Sequence, residues 1–406
     1  MRRFPALNRD VRVNGLIGAG HFLSHFYSLC LPPLFVVWAN AFHVSYAELG
    51  LAVALMAGAQ AVAQTPVGML VDRYGARPLL IGGALLMALS ISAMGLATGF
   101  WQIAGLALLS GLGNSVFHPV DYAILSGSVS RERLGRAFAF HTFSGYVGFA
   151  AAPPVTTALV LLIGWRDSLV GLGLLGVPVV LMVLWQSGVL VEERQARAAA
   201  EEKKPALFGA RLLLSRPILF LSAFYMVSSM ATGGVQAWLI TILHQAHGFT
   251  LGAASSALTG YLVASLFGIL AGGWVADRSD RHFAFIVLLT TGGAACLALV
   301  GIAPLAMAAA IGVLAIGGLC LGMSRTPRDM MVKAAAGPGE VGKVFGFVSA
   351  GLSLGSAMAP IPYGLMIDAG RPNLVLVAVA VLAVASLGCA FGARVAAQRP
   401  VAAAAE

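Results

Sequence analysis

The sequence predicts an all-α membrane protein in which twelve transmembrane helices form two similar halves of six. Hydrophobic residues make up 59% of the 406 residues and charged residues only 10%, whereas soluble domains carry roughly 25% charged residues. Twelve segments are apolar and long enough to cross a bilayer, which takes ~20 residues. A charged motif at 68–77 is repeated at 273–281, half the chain later, which indicates that the two halves resemble each other.

Short polar turns separate the predicted spans, and one long polar segment, residues 191–216, follows the sixth span. Its mixed charges and its Pro205 favour a cytoplasmic linker. The sequence therefore predicts an N-terminal bundle at 1–190 and a C-terminal bundle at 217–406. The twelve spans are expected near 13–38, 47–70, 78–98, 101–124, 136–162, 168–190, 217–243, 252–275, 283–302, 304–327, 341–367 and 372–394.

The distribution of basic residues predicts the orientation of the chain. With both termini in the cytoplasm, all but two of the 25 Lys and Arg residues face that side, the exceptions being Arg166 and Arg371. This asymmetry is typical of multi-pass proteins and sets their topology, here in the cell inner membrane. It also explains the net charge of +9 without a nucleic-acid partner, so the expected surroundings are a lipid bilayer.

Motifs of catalysis and cofactor binding are absent from the sequence. It contains no phosphate-binding loop, no His-Glu-x-x-His zinc motif and no Gly-x-Ser-x-Gly nucleophile elbow. The four cysteines lie in apolar segments without metal-ligand spacing. We therefore expect no enzyme, no cofactor and no metal, and uphill movement of a solute would have to use an ion gradient.

The repeat extends beyond one motif and carries a resemblance to a known family. The fourth and tenth spans both end in Pro-x-Asp, at 119–121 and 327–329. The Gly-x-x-x-Asp-Arg-x-Gly-x-Arg segment at 68–77 is similar to the signature of the major facilitator superfamily, and 113–119 resembles the fourth span of its fosmidomycin-resistance-type exporters. The resemblance implies two six-helix bundles around a central cavity that opens alternately to each side. Unlike the drug/proton antiporters of that superfamily, which carry an arginine in the fourth span, this chain has Ala107 near that place.

The repeated charged turns are candidates for a cytoplasmic gate. Asp72, with Arg73 and Arg77, and Asp277, with Arg278, are expected just beyond the ends of the second and eighth spans. A carboxylate at such a position accepts hydrogen bonds from helix N-termini and from arginines of the opposite half. We expect these contacts to hold the gate shut in the outward-facing state. A role in topology and solubility alone is the alternative.

Histidines supply the titratable groups of the predicted cavity. His21 and His25 are four residues apart and share one face of the first helix, and His25 is expected about 18 Å into the membrane. His118 and Asp121 share a face in the same way, with His141 on the next span at similar depth. Because histidine exchanges a proton near neutrality, the sequence predicts proton coupling through His21, His25, His118 and Asp121. Structural roles for the same residues are the alternative.

The candidate cavity residues favour a small organic anion or a neutral amphiphile as the substrate. They are His25, Tyr225, Gln236 and Arg325, and the spans carry no acidic residue at mid-depth that would pair with a cation. Proton-coupled efflux is the first interpretation because of the exporter resemblance, and proton-coupled uptake of a carboxylate or similar nutrient is the second. A transporter-like receptor that moves nothing is the alternative from another class. The expected assembly is a monomer.

Overall fold

The computed structural model describes residues 9–130, 133–190, 212–279, 281–336 and 341–398, and these segments are helical apart from short turns, with no β-strand. Eleven helical stretches in them are apolar and long enough to cross a membrane. One stretch, Leu134–Gln186, contains 53 residues, and Gly164 interrupts its helical geometry with a φ of 80°. Since 53 residues suffice for two crossings, the prediction of an all-α protein with twelve transmembrane helices is confirmed.

The first crossing consists of two helices joined by a short 3-10 turn. A 3-10 turn at Pro32–Leu34 separates its two helices, because the prolines remove backbone donors and interrupt the hydrogen-bond ladder. The helices of the first half are α1 (Arg9–Leu29), α2 (Phe35–Phe42), α3 (Tyr46–Tyr74), α4 (Ala76–Met94), α5 (Phe100–Asn114), α6 (Phe117–Ser128), α7 (Leu134–Leu174) and α8 (Gly176–Gln186).

The second half follows the same order of crossings. Its helices are α9 (Arg216–His247), α10 (Leu251–Arg278), α11 (His282–Ile302), α12 (Met307–Met323), α13 (Arg325–Ala335), α14 (Val341–Met358), α15 (Pro360–Asp368) and α16 (Pro372–Gln398).

The fourth and tenth predicted spans are each one helical stretch, Phe100–Ser128 and Met307–Ala335, with a kink that divides it into two helices. The break falls between α5 and α6 in the first half and between α12 and α13 in the second. Pro119 and Pro327 lie in the first turn of α6 and α13, where a missing N–H costs little. Ser115 and Val116 at the first break and Ser324 at the second keep right-handed helical backbone angles, so each break is a kink within one span.

Glycines set the closest helix contacts in both halves. A Cβ atom at Gly148 of α7 would lie 2.3 Å from the carbonyl oxygen of Phe22 in α1. A Cβ atom at Gly355 of α14 would lie 2.2 Å from the carbonyl oxygen of Met226 in α9. Inside a bilayer, where lipid is as apolar as leucine, such small residues allow the backbone contact that holds helices together.

The described helices divide into two compact units. The first unit contains 1–43 and 55–203, and the second contains 44–54 and 204–406. In the first unit, α1 packs on α7, and α4 packs on α5 and α7; in the second, α9 packs on α14 and α16, and α10 packs on α12. Of the predicted linker at 191–216, residues 191–211 lie outside the described part of the chain.

Candidate functional site

Four histidines and one aspartate from three helices meet in the interior of the first unit. α1 supplies His21 and His25 one turn apart, α6 supplies His118 and Asp121, and α7 supplies His141. His21, Asp121 and His141 are buried, and the other two are half-buried. The structure thus brings together all four of the predicted proton-coupling residues, with His141 as the fifth member. We call these five residues the histidine–aspartate cluster.

Asp121 is the centre of the cluster. Its Oδ2 atom lies 2.9 Å from Nε2 of His141 and 3.5 Å from Nδ1 of His21, and its side chain is 0% exposed. The first contact is a hydrogen bond, so one proton lies between Asp121 and His141, since two bare acceptors do not approach so closely. The second is an electrostatic contact. One carboxylate oxygen is therefore within reach of two imidazoles that can exchange a proton with it.

The imidazole rings form a continuous series. The centre of the His21 ring lies 3.6 Å from that of His141, 4.4 Å from that of His25 and 5.2 Å from that of His118. His25 continues the series away from Asp121, and its ring packs 4.2 Å from that of Phe149. The four imidazoles thus lie in ring contact with one another inside the first unit.

Several buried polar atoms of the cluster have no hydrogen-bond partner. They are Nδ1 of His21, His25 and His141, and Oδ1 of Asp121. Each unsatisfied buried group costs about 1–3 kcal/mol, so their concentration in one place marks a site with capacity for a proton, a water molecule or a ligand. Gly145 of α7 makes the room, because a Cβ atom there would lie 2.8 Å from the His21 ring.

The same histidines could also approach a metal ion. The ligand atoms of His21, His118 and His141 lie within 4.8 Å of one another. However, the rings of His21 and His141 are stacked, with 24° between their planes, and both direct a nitrogen at one oxygen of Asp121. Metal ligands instead converge on a shared point at about 2.0–2.1 Å from each nitrogen. The arrangement fits a shared proton better than a metal.

Asp121 makes its contacts across helices rather than along its own. His118, expected to be its neighbour on α6, packs its ring parallel to that of Tyr122 at 6.2 Å, with 19° between the planes. The two hydrogen-bonding and electrostatic contacts of Asp121 come from α7 and α1. Spacing along α6 identified the right face of the helix, but it did not identify the partner.

The second unit contains a different polar cluster. Oδ1 of Asp329 accepts a hydrogen bond from the Tyr225 hydroxyl and lies 3.2 Å from Nη2 of Arg328. The guanidinium of Arg328 stacks 4.0 Å from the centre of the Tyr225 ring. Arg325 and Arg328 both line a cavity within this unit. Gln236 is half-buried and is not one of the described residues that line this cavity.

The repeat relates the two clusters residue by residue. The Pro-x-Asp motifs make Asp121 the counterpart of Asp329. The glycine contacts of α7 with α1 and of α14 with α9 make His21 the counterpart of Tyr225. In both units the aspartate thus contacts the same position of the first helix, but its other partner is a histidine in one unit and Arg328 in the other. An imidazole can gain or lose a proton, whereas a guanidinium keeps its charge.

The predicted gate carboxylates lie inside helices, which corrects their expected position beyond the helix ends. Asp72 is in the last turn of α3 and Asp277 is in the last turn of α10. Gly75, the second glycine of the signature, ends α3 with a φ of 89°, a conformation that glycine adopts without a steric penalty. The side chain of Asp72 and the whole of Asp280 lie outside the described part of the structure.

The predicted gate arginines lie beside these turns. Arg73 is exposed and its guanidinium lies 5.2 Å from the ring centre of Tyr74. Arg278 is exposed and stacks 4.3 Å from the ring centre of Trp274. Arg77, at the start of α4, is half-buried. Each is thus near the end of its own helix, with an aromatic ring supporting two of the three.

Comparison with known proteins identifies a family. The sequence profile of the Major Facilitator Superfamily matches residues 17–257 and 221–406. The probable L-galactonate transporter of Escherichia coli (strain K12) is 28% identical over 134 residues, which are 33% of this chain and 30% of that protein. This match therefore spans less than a third of the relative's length. The probable nitrate/nitrite transporter NarK2 of Mycobacterium tuberculosis (strain CDC 1551 / Oshkosh) is 27% identical over 372 residues, 89% of this chain and 90% of that protein.

A solved structure shows the same fold. It is the crystal structure of a bacterial homolog to the human lysosomal transporter Spinster, in an inward-facing and occupied conformation. It aligns with a TM-score of 0.82 and 14% sequence identity, over 95% of this chain and 96% of that chain.

Proposed function

This chain belongs to the Major Facilitator Superfamily and is a multi-pass membrane transporter rather than an enzyme, and from that premise we propose that it couples the transport of a small organic anion to protons. The observation that carries the proposal is the position of Asp121, whose Oδ2 lies 2.9 Å from Nε2 of His141 and 3.5 Å from Nδ1 of His21. The proton passes through the histidine–aspartate cluster.

A buried titratable cluster suits coupling because adding one proton changes the charge of a region of low dielectric constant. A charge inside the bilayer costs several kcal/mol unless it is paired or hydrated, so a proton on the cluster favours whichever conformation or ligand compensates it. His25, His21 and His118 bring the proton to or from Asp121. The ion gradient thereby biases the alternating access of the transporter.

The proposed substrate charge follows from the second unit. Arg325 and Arg328 line its cavity, and guanidinium groups pair with carboxylates and similar planar anions. The relatives named for L-galactonate and for nitrate and nitrite both have anionic substrates in their names. Tyr225 supports the site by holding Arg328, and we keep His25 and Gln236 as proposed contacts for the substrate.

The proposed gate and direction follow the sequence. Asp72 and Asp277, each in the last turn of its helix, are proposed to latch the cytoplasmic side with the neighbouring arginines. Efflux across the inner membrane, by a monomer with both termini in the cytoplasm, is proposed because of the exporter-like segment at 113–119.

Transport into proteoliposomes tests the proposal. Purified protein is reconstituted, the membrane potential is clamped with potassium and valinomycin, and a pH gradient of either sign is imposed. We expect labelled L-galactonate to accumulate with one sign of the pH gradient and not with a sodium gradient. The sign of the productive gradient distinguishes antiport from symport, and vesicles of known orientation give the direction.

The control variant is Asp10→Asn, which removes the carboxylate that pairs with Arg133 at a distance of 3.2 Å, away from the cluster. It should accumulate the anion as the wild type does. Accumulation that ignores the pH gradient but follows another ion would refute proton coupling, and saturable transport of a permanent cation instead of this anion would refute the substrate class.

A further inference from the structure

We propose that the cavity of the second unit binds the head group of a small α-hydroxy carboxylate. This inference rests on the proposed function for the choice of an anion, and it goes further by naming the chemistry of the substrate. The cavity lies among α9, α10, α11, α12, α13 and α16, directly at the break between α12 and α13. It is lined by two arginines and by several hydroxyl groups, and these two kinds of group have opposite hydrogen-bonding needs.

The arginines supply donors for a carboxylate. Arg325 and Arg328 are three residues apart at the beginning of α13 and both line the cavity. Asp329 and Tyr225 act as positioning residues for Arg328, because one bonds its guanidinium and the other stacks beneath it at 4.0 Å. Of the described residues that line the cavity, none is acidic, and Asp329 bonds two of the nitrogens of Arg328. A guanidinium carries five N–H donors and no acceptor, so this wall favours an anionic ligand group.

The hydroxyl groups of the wall are set up as acceptors. Thr232 donates its hydroxyl hydrogen to the Ser228 carbonyl at 3.1 Å, and Ser386 donates its own to the Ala383 carbonyl at 2.6 Å. Ser324 does the same with the Leu321 carbonyl at 2.8 Å.

Once a hydroxyl has given its hydrogen to the backbone, only its lone pairs remain for a ligand. A carboxylate also offers only lone pairs, so it cannot satisfy these oxygens. A ligand hydroxyl can, because it carries a hydrogen to donate. A wall with both arginines and hydroxyl acceptors thus matches a ligand that carries a carboxylate and a hydroxyl close together.

The size of the cavity limits the ligand. Its free space is about 40 Å³, which is room for roughly three water molecules at about 10–15 Å³ each on this measure. Three waters occupy roughly 90 Å³ in the liquid, a volume comparable with that of a three-carbon acid. The carboxylate and the adjacent hydroxyl therefore fill the cavity, and any longer chain of the substrate must extend out of it.

A matched set of three-carbon ligands tests the inference. Calorimetric titration of the purified full-length protein, with no gradient present, compares L-lactate with propionate, which lacks the hydroxyl, and with 1,2-propanediol, which lacks the carboxylate. We expect lactate to bind about tenfold more tightly than propionate, the effect of one or two good hydrogen bonds, and propanediol to bind more weakly than both.

Two variants separate the two halves of the recognition. Ser386→Ala should lower the affinity of the protein for lactate to its affinity for propionate, and it should leave the affinity for propionate unchanged. Arg325→Gln should weaken lactate and propionate alike by at least about tenfold. Arg281→Gln, an exposed arginine of the same unit that does not line this cavity, is the matched control and should change neither affinity.

The outcomes keep this inference apart from the coupling proposal. Asp121→Asn, in the other unit, should bind lactate like the wild type even where proton coupling is lost, so failure of coupling leaves the cavity assignment intact. Three results would each overturn the assignment of this cavity to an α-hydroxy carboxylate. They are equal affinity for lactate and propionate, no measurable binding of lactate, and unchanged lactate binding in both Ser386→Ala and Arg325→Gln with folding verified. Tighter binding of nitrate than of lactate would overturn it in favour of an inorganic anion.

Discussion

Asp121 gains its proposed role from its neighbours rather than from its residue type. A buried carboxylate with a single fixed cation forms a static pair, and breaking such a pair costs about 3–5 kcal/mol. Asp329 has one fixed cation, Arg328, and the Tyr225 hydroxyl beside it, but its side chain is 46% exposed, so solvent weakens that pair. Asp121 instead has two imidazoles close to one oxygen, and an imidazole, unlike a guanidinium, can gain or lose a proton. Its partner can therefore change with each proton that arrives.

Replacing His141 with glutamine tests this at the level of one residue. An amide can still donate to Asp121, so His141→Gln should fold, but it cannot titrate near neutrality. We expect the initial rate of transport to lose its variation between about pH 5 and pH 8, and pH-driven accumulation to fall by at least about tenfold. The measurement is the pH profile of uptake into proteoliposomes.

The matched control is His244→Gln, whose Nδ1 contacts the Phe249 carbonyl at the end of α9 in the other unit. That variant should keep the wild-type profile. A His141→Gln protein with an unaltered pH profile would show that His141 only holds the helices together.

Sequence reasoning found four of the five residues of the cluster but not their contacts. Spacing along one helix says which side chains share a face, so His21 and His25, and His118 and Asp121, were paired correctly by face. The bond from Asp121 to His141 depends on which helices pack together, and hydropathy does not contain that information. The sequence places His141 at similar depth, yet nothing in its local sequence distinguishes it from a structural histidine.

At the level of helices, breaks and glycines create the site. Hydropathy averaged over ~20 residues cannot reveal that α5 and α6 are separate helices, or that α12 and α13 are. The signal that was present is the pair Pro119 and Pro327, since a proline within a helical pattern predicts a new helix start or a kink. The same averaging placed the ends of both spans too early, because α6 continues to Ser128 and α13 to Ala335.

Gly145→Ala tests whether α7 must approach α1 closely at the cluster. The added methyl group would lie 2.8 Å from the His21 ring and 3.0 Å from that of His25, so both rings must shift. We expect a loss of stability of about 1–3 kcal/mol from overpacking, together with reduced pH-driven accumulation. Thermal unfolding and proteoliposome uptake measure the two effects. The control is Gly135→Ala on the same side of the Gly164 break, where a Cβ atom meets nothing within 4 Å; equal behaviour of the two variants would contradict the assignment.

The two glycines of the signature should respond in opposite directions to alanine. Gly75 has a φ of 89° and a ψ of 161°, a conformation essentially confined to glycine that costs about 1–3 kcal/mol for another residue. Gly68 lies within α3 with nothing within 4 Å of its Cβ position, so alanine should stabilise the helix there by up to about 1 kcal/mol. Denaturant or thermal unfolding of Gly75→Ala and Gly68→Ala gives the comparison. A stabilising Gly75→Ala would mean that α3 does not end there as described.

At the level of the whole molecule, the two halves repeat the same order of helices but differ in the side chains of their polar clusters. The charged repeat, the twelve spans and the matched Pro-x-Asp motifs were all available from the sequence, because composition and repetition over many residues do not depend on detailed packing. In the second unit, Tyr225 occupies the position that His21 has in the first unit, and an arginine contacts the aspartate in place of a second histidine. This difference can be recognised only from the helix contacts, which show which residues of the two halves correspond. We therefore propose that the first unit carries the proton and that the second unit binds the anion.

The most direct test of the proposed coupling is to record proton movement during transport of the anion. Proteoliposomes containing a pH-sensitive dye in weak buffer receive the anion with no imposed pH gradient, and the wild-type protein should produce a saturable change of internal pH in proportion to the anion moved. Asp121→Asn should still move the anion down its gradient but without the pH change, because its side chain can no longer take a proton. Proton movement by Asp121→Asn at the wild-type ratio would contradict the role of the histidine–aspartate cluster in coupling.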